Sequence, residues 1–153
     1  KKGRGRAGEK FAVSPDMIQT MRKIISQVVN YEVKDDEGEE RQLIEVFMEL
    51  PPKKELPDYY EIIQKPLDIK RIRGKIGAQR YRDLEELQED FFLMCTNAQT
   101  YNVEGSQIYE DSITLQTIFT EIKDKVLKEE EIAKAKKAEA KAAAAAAAGV
   151  DVR

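Results

Sequence analysis

Apolar side chains recur with a helical period through the middle of this chain, and polar punctuation divides them into segments. Ser14-Pro15 is a helix start: the serine oxygen can cap free amides, and proline is tolerated at the first helical position. Met17, Met21, Ile24, Ile25 and Val28 then share one face, which predicts a helix to about residue 31. The acidic cluster at residues 35–40 ends it, and a short helical turn over residues 43–48 is stopped by Pro51-Pro52. Pro57 and Pro66 forbid a long helix in the next stretch, because each lacks an amide hydrogen and restricts its predecessor. A second main helix fits residues 68–77, with Ile69, Ile72 and Ile76 inward. The third starts at Asp83, where Glu86 completes a capping-box pattern, and turns Leu84, Leu87, Phe91, Met94 or Cys95, and Ala98 inward. The fourth opens at Ser106 and carries Ile108, Leu115, Ile118, Phe119, Ile122 and Val126. No segment of any length alternates with period two. The expected fold is an all-α bundle of four main helices.

The chain falls into three parts. Residues 1–13 are basic and glycine-containing, with too few apolar groups to order them, and read as a flexible arm. Residues 14–128 hold nearly all the periodicity. From residue 129 the composition collapses to Lys, Glu and Ala, ending in the alanine run 142–148; this tail reads as a solvent-exposed extension of the last helix or as disorder. Roughly 35 residues separate the first two main helices, an uncommon length for a bundle connection. That loop contains Leu43, Ile44, Val46, Phe47, Leu50, Leu56, Tyr59, Tyr60, Ile62 and Ile63, so it should fold back and wall a cavity at one end of the bundle.

Composition narrows the chemistry. With 153 residues, 41% of them hydrophobic, the chain has room for one domain with a single core. Although 36% of residues are charged, the net charge is only -3, which gives no global pull towards nucleic acid or membrane. No apolar run approaches the roughly 20 residues of a membrane span. Histidine is absent and Cys95 is the sole cysteine, so zinc sites, histidine-based triads and an internal disulfide are excluded. Cys95 reads as a small buried hydrophobe. No phosphate-binding Gly-x-x-x-x-Gly-Lys-Ser/Thr loop occurs. No catalytic set, metal site or cofactor is expected.

The stretch Asn97-Ala98-Gln99-Thr100-Tyr101-Asn102, followed by Val103-Glu104-Gly105-Ser106, marks the turn between the third and fourth helices. Asn102 there is either a helix cap, commonly left-handed, or a carboxamide presented to a ligand at the cavity mouth. Opposite it the loop supplies an apolar shelf from Phe47 and Leu50-Pro51, the phenol of Tyr59, and Leu56; Val46, Ala98, Tyr101 and Ile108 complete the expected lining. This combination resembles a bromodomain, the acetyl-lysine-binding four-helix module. The pattern Leu-Pro-Asp-Tyr-Tyr-x-x-Ile-x-x-Pro-Leu-Asp runs through residues 56–68, and the Tyr101-Asn102 pair follows in order. The resemblance covers residues 14–128. It is strongest to the bromodomains of SWI/SNF-type chromatin-remodelling ATPases, in Val46-Phe47-x-x-Leu50-Pro51, Lys54-Glu55-Leu56-Pro57 and Glu104-Gly105-Ser106-Gln107-Ile108-Tyr109-Glu110-Asp111-Ser112. Many bromodomains carry Trp-Pro-Phe at the shelf; this chain has no tryptophan, and Phe47 stands at the phenylalanine position.

The resemblance implies a left-handed four-helix bundle with a long structured loop between helices 1 and 2. It also implies a nuclear, monomeric binding module for acetylated histone tails that helps target a remodelling complex through its other subunits, any ATPase lying in another domain. Asn102 would donate to the acetyl oxygen and Tyr59 would reach it through a water. Acetylation suits such a cavity because it removes the lysine charge, whereas an ammonium would have to shed its hydration without an anion. Glu55, Asp58, Glu61, Glu104 and Glu110 would make the rim acidic, matching a basic tail. Two other readings stand beside this one. The cleft would alternatively take an unmodified partner peptide. The arm, with Lys1, Lys2, Arg4 and Arg6 around Gly3 and Gly5, is either a solvated segment or a minor-groove DNA contact.

Overall fold

The computed structural model of the chain describes residues 9–149. Five helices and one hairpin follow in the order α1 (Pro15–Val29), β1 (Glu32–Lys34), β2 (Glu40–Gln42), a 3-10 turn (Glu45–Phe47), α2 (Pro57–Ile62), α3 (Ile69–Gly77), α4 (Leu84–Tyr101) and α5 (Gln107–Ala147). The four longer helices form the bundle, so the all-α class stands. Each starts at a side-chain cap: Ser14 accepts from the Met17 amide, Asp68 from Arg71, Asp83 from Glu86 and Ser106 from Tyr109. Glu86 turns back to the Arg82 amide at 2.7 Å, one residue before the position a capping box uses.

Their inward stripes meet in one core, with Met21, Ile24, Ile25 and Val28 from α1, Ile69, Ile72 and Ile76 from α3, Leu87, Phe91, Met94, Cys95 and Ala98 from α4, and Leu115, Phe119 and Val126 from α5. Phe91 and Phe119 stack at 4.6 Å between centroids. Both Met94 and Cys95 are buried, because the face α4 presents is wide enough for adjacent positions.

The loop departs from the sequence expectation in three places. Residues 32–42 form an antiparallel hairpin, with Val33 opposite Arg41 and Lys34 opposite Glu40. Strands of three residues show no measurable alternation, and their charged side chains disguise them. The turn is made by Asp35, whose Oδ1 accepts the amides of Glu37 and Glu39, and by Gly38 at φ 84, a left-handed position that suits glycine. The helical turn expected over residues 43–48 is the shorter 3-10 turn. Between Pro51-Pro52 and Pro66 lies α2, a fifth helix that opens on Pro57 at its first position.

At the two ends the boundaries also differ in detail. Residues 11–13 are docked rather than free: the Phe11 amide donates to the Gln79 carbonyl at 2.8 Å, and the Arg82 guanidinium lies 5.1 Å from the Phe11 ring centroid. Helix α5 continues to Ala147. Its Glu130 still accepts from the Thr20 hydroxyl at 2.8 Å and pairs with Lys23, both on α1. No helix among the described residues is long and apolar enough to cross a membrane.

Candidate functional site

At one end of the bundle the loop between α1 and α3 faces the α4–α5 turn. Two contacts made to buried carboxylates hold the loop there. Arg41 of β2 makes a two-pronged pair with Asp111 of α5, at 2.9 and 3.0 Å. Asp68, fully buried, accepts the Leu50 amide and the Arg71 amide at 2.8 Å each, and also pairs with the Arg71 guanidinium. One carboxylate thus caps α3 and fixes the shelf residue Leu50. Asp68 closes the motif at residues 56–68 and, as an aspartate just before an apolar helical run, carries a capping signal, whereas nothing in the sequence singles out Arg41. Beyond α2, the Asn97 carboxamide donates to the Lys65 carbonyl at 2.9 Å.

Tyr59 lies on α2 and is 6% exposed. Its ring meets Tyr60 at 5.5 Å and Tyr101 at 4.8 Å, both edge-on. Burial, with smaller contributions from Tyr60, Asp68 and Tyr101, pushes its pKa up to about 12, so the phenol keeps its proton at any physiological pH. Its hydroxyl makes no hydrogen bond to another described residue. Tyr60 instead donates to the Pro51 carbonyl at 2.7 Å and braces the loop.

Asn102 ends α4 with φ -98 and ψ 155, an extended conformation rather than the left-handed one of a common asparagine cap. Its backbone amide and its side-chain NH2 both donate to the Ala98 carbonyl at 3.0 Å. That second bond uses one of two N–H groups and orients the carboxamide, and the other N–H is bonded to no described residue. The turn that follows closes through Ser106 N–H to Val103 O and needs Gly105 at φ 89.

The remaining expected lining residues divide. Phe47 and Ala98 are buried in the main core, and Ile108 packs against it. Leu50, Leu56 and Tyr101 are half-buried, and Pro51 is exposed. Val46 is exposed too, at 54%, because successive side chains of the 3-10 turn point apart and Phe47 takes the inward direction. The rim carboxylates Glu55, Asp58, Glu61, Glu104 and Glu110 are all exposed. Asp58 is not a free rim charge, since the Tyr101 hydroxyl donates to it at 3.0 Å. Lys1, Lys2, Arg4 and Arg6 lie outside the described residues. Among the described residues no group of three or more acidic or cysteine side chains is placed to hold a metal ion.

Comparison with known proteins decides the family. The family model for bromodomains matches residues 21–115, well over half the chain. The chain belongs to the bromodomain family. A bromodomain is a binding module, not an enzyme. This bromodomain is 47% identical over 106 residues to the ATP-dependent helicase brm of Drosophila melanogaster, covering 69% of this chain but 6% of that protein. It is 40% identical over 121 residues to the chromatin structure-remodeling complex subunit snf21 of Schizosaccharomyces pombe, covering 74% of this chain and 10% of that protein. The chain therefore spans a small part of the remodelling subunits it resembles. Among solved structures, the tandem bromodomain of Rsc4 superposes with a TM-score of 0.71 at 23% identity, covering 85% of this chain and 50% of that chain. The bromodomain of human BAZ1A gives 0.61 at 24%, covering 76% of this chain and 97% of that chain. These two support the fold alone.

Proposed function

We propose that this bromodomain reads acetyl-lysine on histone tails, and that Asn102 and Tyr59 are the groups that recognise the acetyl oxygen. The observation carrying this reading is the state of the two side chains. Tyr59 presents a protonated phenol without a hydrogen-bond partner among the described residues, and Asn102 is held in extended backbone with one N–H committed and one free. Neither arrangement is what a loop-packing tyrosine or a simple helix cap would need. Asn102 donates directly to the acetyl carbonyl, and Tyr59 reaches the same oxygen through a water. Phe47, Leu50, Leu56, Ala98 and Ile108 take the methyl group and the aliphatic stem. Unmodified lysine is disfavoured because its ammonium would be desolvated against apolar side chains with no paired carboxylate. Exposed Glu55, Glu61, Glu104 and Glu110 then favour the basic residues around the acetylated position.

In the whole protein this module would bring a nuclear SWI/SNF-type remodelling complex to acetylated nucleosomes, alongside the complex's other subunits. Calorimetric titration with matched acetylated and unmodified histone-tail peptides tests the reading. The wild type should bind the acetylated peptide selectively, and Asn102→Ala should weaken that binding at least about tenfold, the cost of an acetyl oxygen left without its donor. Equal affinity for the two peptides would instead identify a cleft for unmodified partners.

A further inference from the structure

The two recognition groups sit on segments that are weakly constrained by themselves. Tyr59 belongs to α2, a helix of six residues that is too short to persist without tertiary support. Asn102 follows the last residue of α4, where the helix has run out of intrahelical partners. The chain neighbours of these two residues are bonded to each other. The Tyr101 hydroxyl donates to Asp58 Oδ1 at 3.0 Å, and the Tyr101 ring lies edge-on to Tyr59 with centroids 4.8 Å apart.

We propose that Asp58 and Tyr101 form a clasp that fixes the gap between Tyr59 and Asn102, and so act as positioning residues for acetyl-lysine binding. The inference rests on the acetyl-lysine reading of this site. One acetyl oxygen must satisfy a donor from each side of the mouth, so the spacing of the two sides decides whether both bonds form together. Ordering the mouth in advance spares the ligand that ordering cost. Other bonds in the region act elsewhere. The Tyr60 hydroxyl ties α2 to its own loop at Pro51, and Asn97 holds Lys65 more than a turn before α4 ends. The Ala98 carbonyl fixes Asn102 relative to α4 but not relative to α2. Asp58 and Tyr101 span the mouth itself. Desolvation and then the Asp58 carboxylate raise the Tyr101 pKa, the direction expected of a phenol that donates to a carboxylate.

The test is calorimetry on the whole chain with a Lys/Arg-rich peptide carrying one acetyl-lysine, using Tyr101→Phe, Asp58→Ala, the double variant and Asp58→Asn. Tyr101→Phe and Asp58→Ala should each weaken binding about fivefold, the loss expected for one exposed hydrogen bond that preorganises a site. The double variant should be no weaker than either single one, because both remove the same interaction. Asp58→Asn keeps an acceptor and should stay within about twofold of wild type. Melting temperature should change little in Tyr101→Phe, while the side-chain amide resonances of Asn102 broaden in the free protein. Wild-type affinity in Tyr101→Phe, or additive losses in the double variant, overturns the clasp while the wild type still prefers acetylated peptide. A wild type that binds both peptides equally removes the acetyl-lysine reading and the clasp with it, and that failure is visible without any variant.

Discussion

Asp90 carries an ionised carboxylate almost entirely out of water, nearly two turns into the buried face of α4. Lys75 Nζ at 2.6 Å, the Tyr81 hydroxyl at 2.7 Å and Lys65 Nζ at 3.3 Å converge on it. Burial by itself pushes its pKa up, but bonds to Lys75 and Tyr81 and the charges of Lys75 and Lys65 outweigh that and hold it below the ordinary value. A depressed folded-state pKa means that the cluster stabilises fully above the unfolded value, near about 3.9, and loses that stability as pH falls through the lower folded value. Asp90→Asn should therefore cost about 2 kcal/mol at neutral pH, less than a fully buried pair because both lysines remain partly in water. Urea unfolding should show the variant losing less stability than wild type as pH drops below about 4. Parallel pH profiles for the two proteins would assign the stabilisation elsewhere. Lys65 belongs to both this cluster and, through its carbonyl, the Asn97 bond, so the chain entering α3 is pinned to α4 twice.

Among the elements, the loop between α1 and α3 depends on polar anchors as much as on apolar burial. Leu43, Ile44 and Phe47 are buried, but between Met48 and Leu56 the chain has no buried side chain. Asp68 holds that span through the Leu50 amide, and the Met48 carbonyl accepts from the Lys70 amide at 3.1 Å. Asp68→Ala removes a helix cap and leaves the Leu50 amide unpaired, an expected loss of about 2 kcal/mol. It should also speed hydrogen exchange at Leu50 and Arg71 together, and weaken peptide binding through the freed shelf. Exchange that rises at Arg71 alone would show that the loop is held by other contacts. The hairpin works in the same way at the other end of the loop, where the Arg41 and Asp111 pair docks β2 on α5.

At the scale of the molecule, α5 is 41 residues long but packs on the bundle along only its first part. Val126 is its final fully buried residue, and Glu130 adds a bonded contact with α1. Nearly every side chain from residue 131 to residue 149 is exposed, and alanine and lysine propensity sustain the helix there. Removing everything after Ala133 should leave stability within about 0.5 kcal/mol and peptide affinity unchanged, while helicity by circular dichroism falls. A drop in melting temperature on that truncation would mean that the extension packs on the domain.

Much of this protein was legible in the sequence because it depends on local rules. Helical periodicity gave the four long helices and their inward stripes, since each is amphipathic and several turns long. Ser14, Asp83 and Ser106 marked three of their starts by capping chemistry that acts within three residues. The absence of histidine and the single cysteine narrowed the chemistry by composition alone. The motif at residues 56–68 and the Tyr101-Asn102 pair pointed to the family before any distance was known. What required the tertiary structure were contacts between residues far apart in the chain. The hairpin is too short to produce a period, and its stability comes partly from Arg41 reaching Asp111, 70 positions away. The partners of Asp68, Asp90 and Asn97 are not readable from their residue types, because folding alone brings the Leu50 amide, Lys75 and the Lys65 carbonyl to them. Val46 and Phe47 are equivalent as apolar neighbours until a 3-10 turn sends one outward. Asp58 reads as one more rim charge until the phenol of Tyr101, 43 residues on, binds it. Sequence periodicity sets which face of a helix is buried; only the packed bundle sets which polar side chain on another segment it meets there.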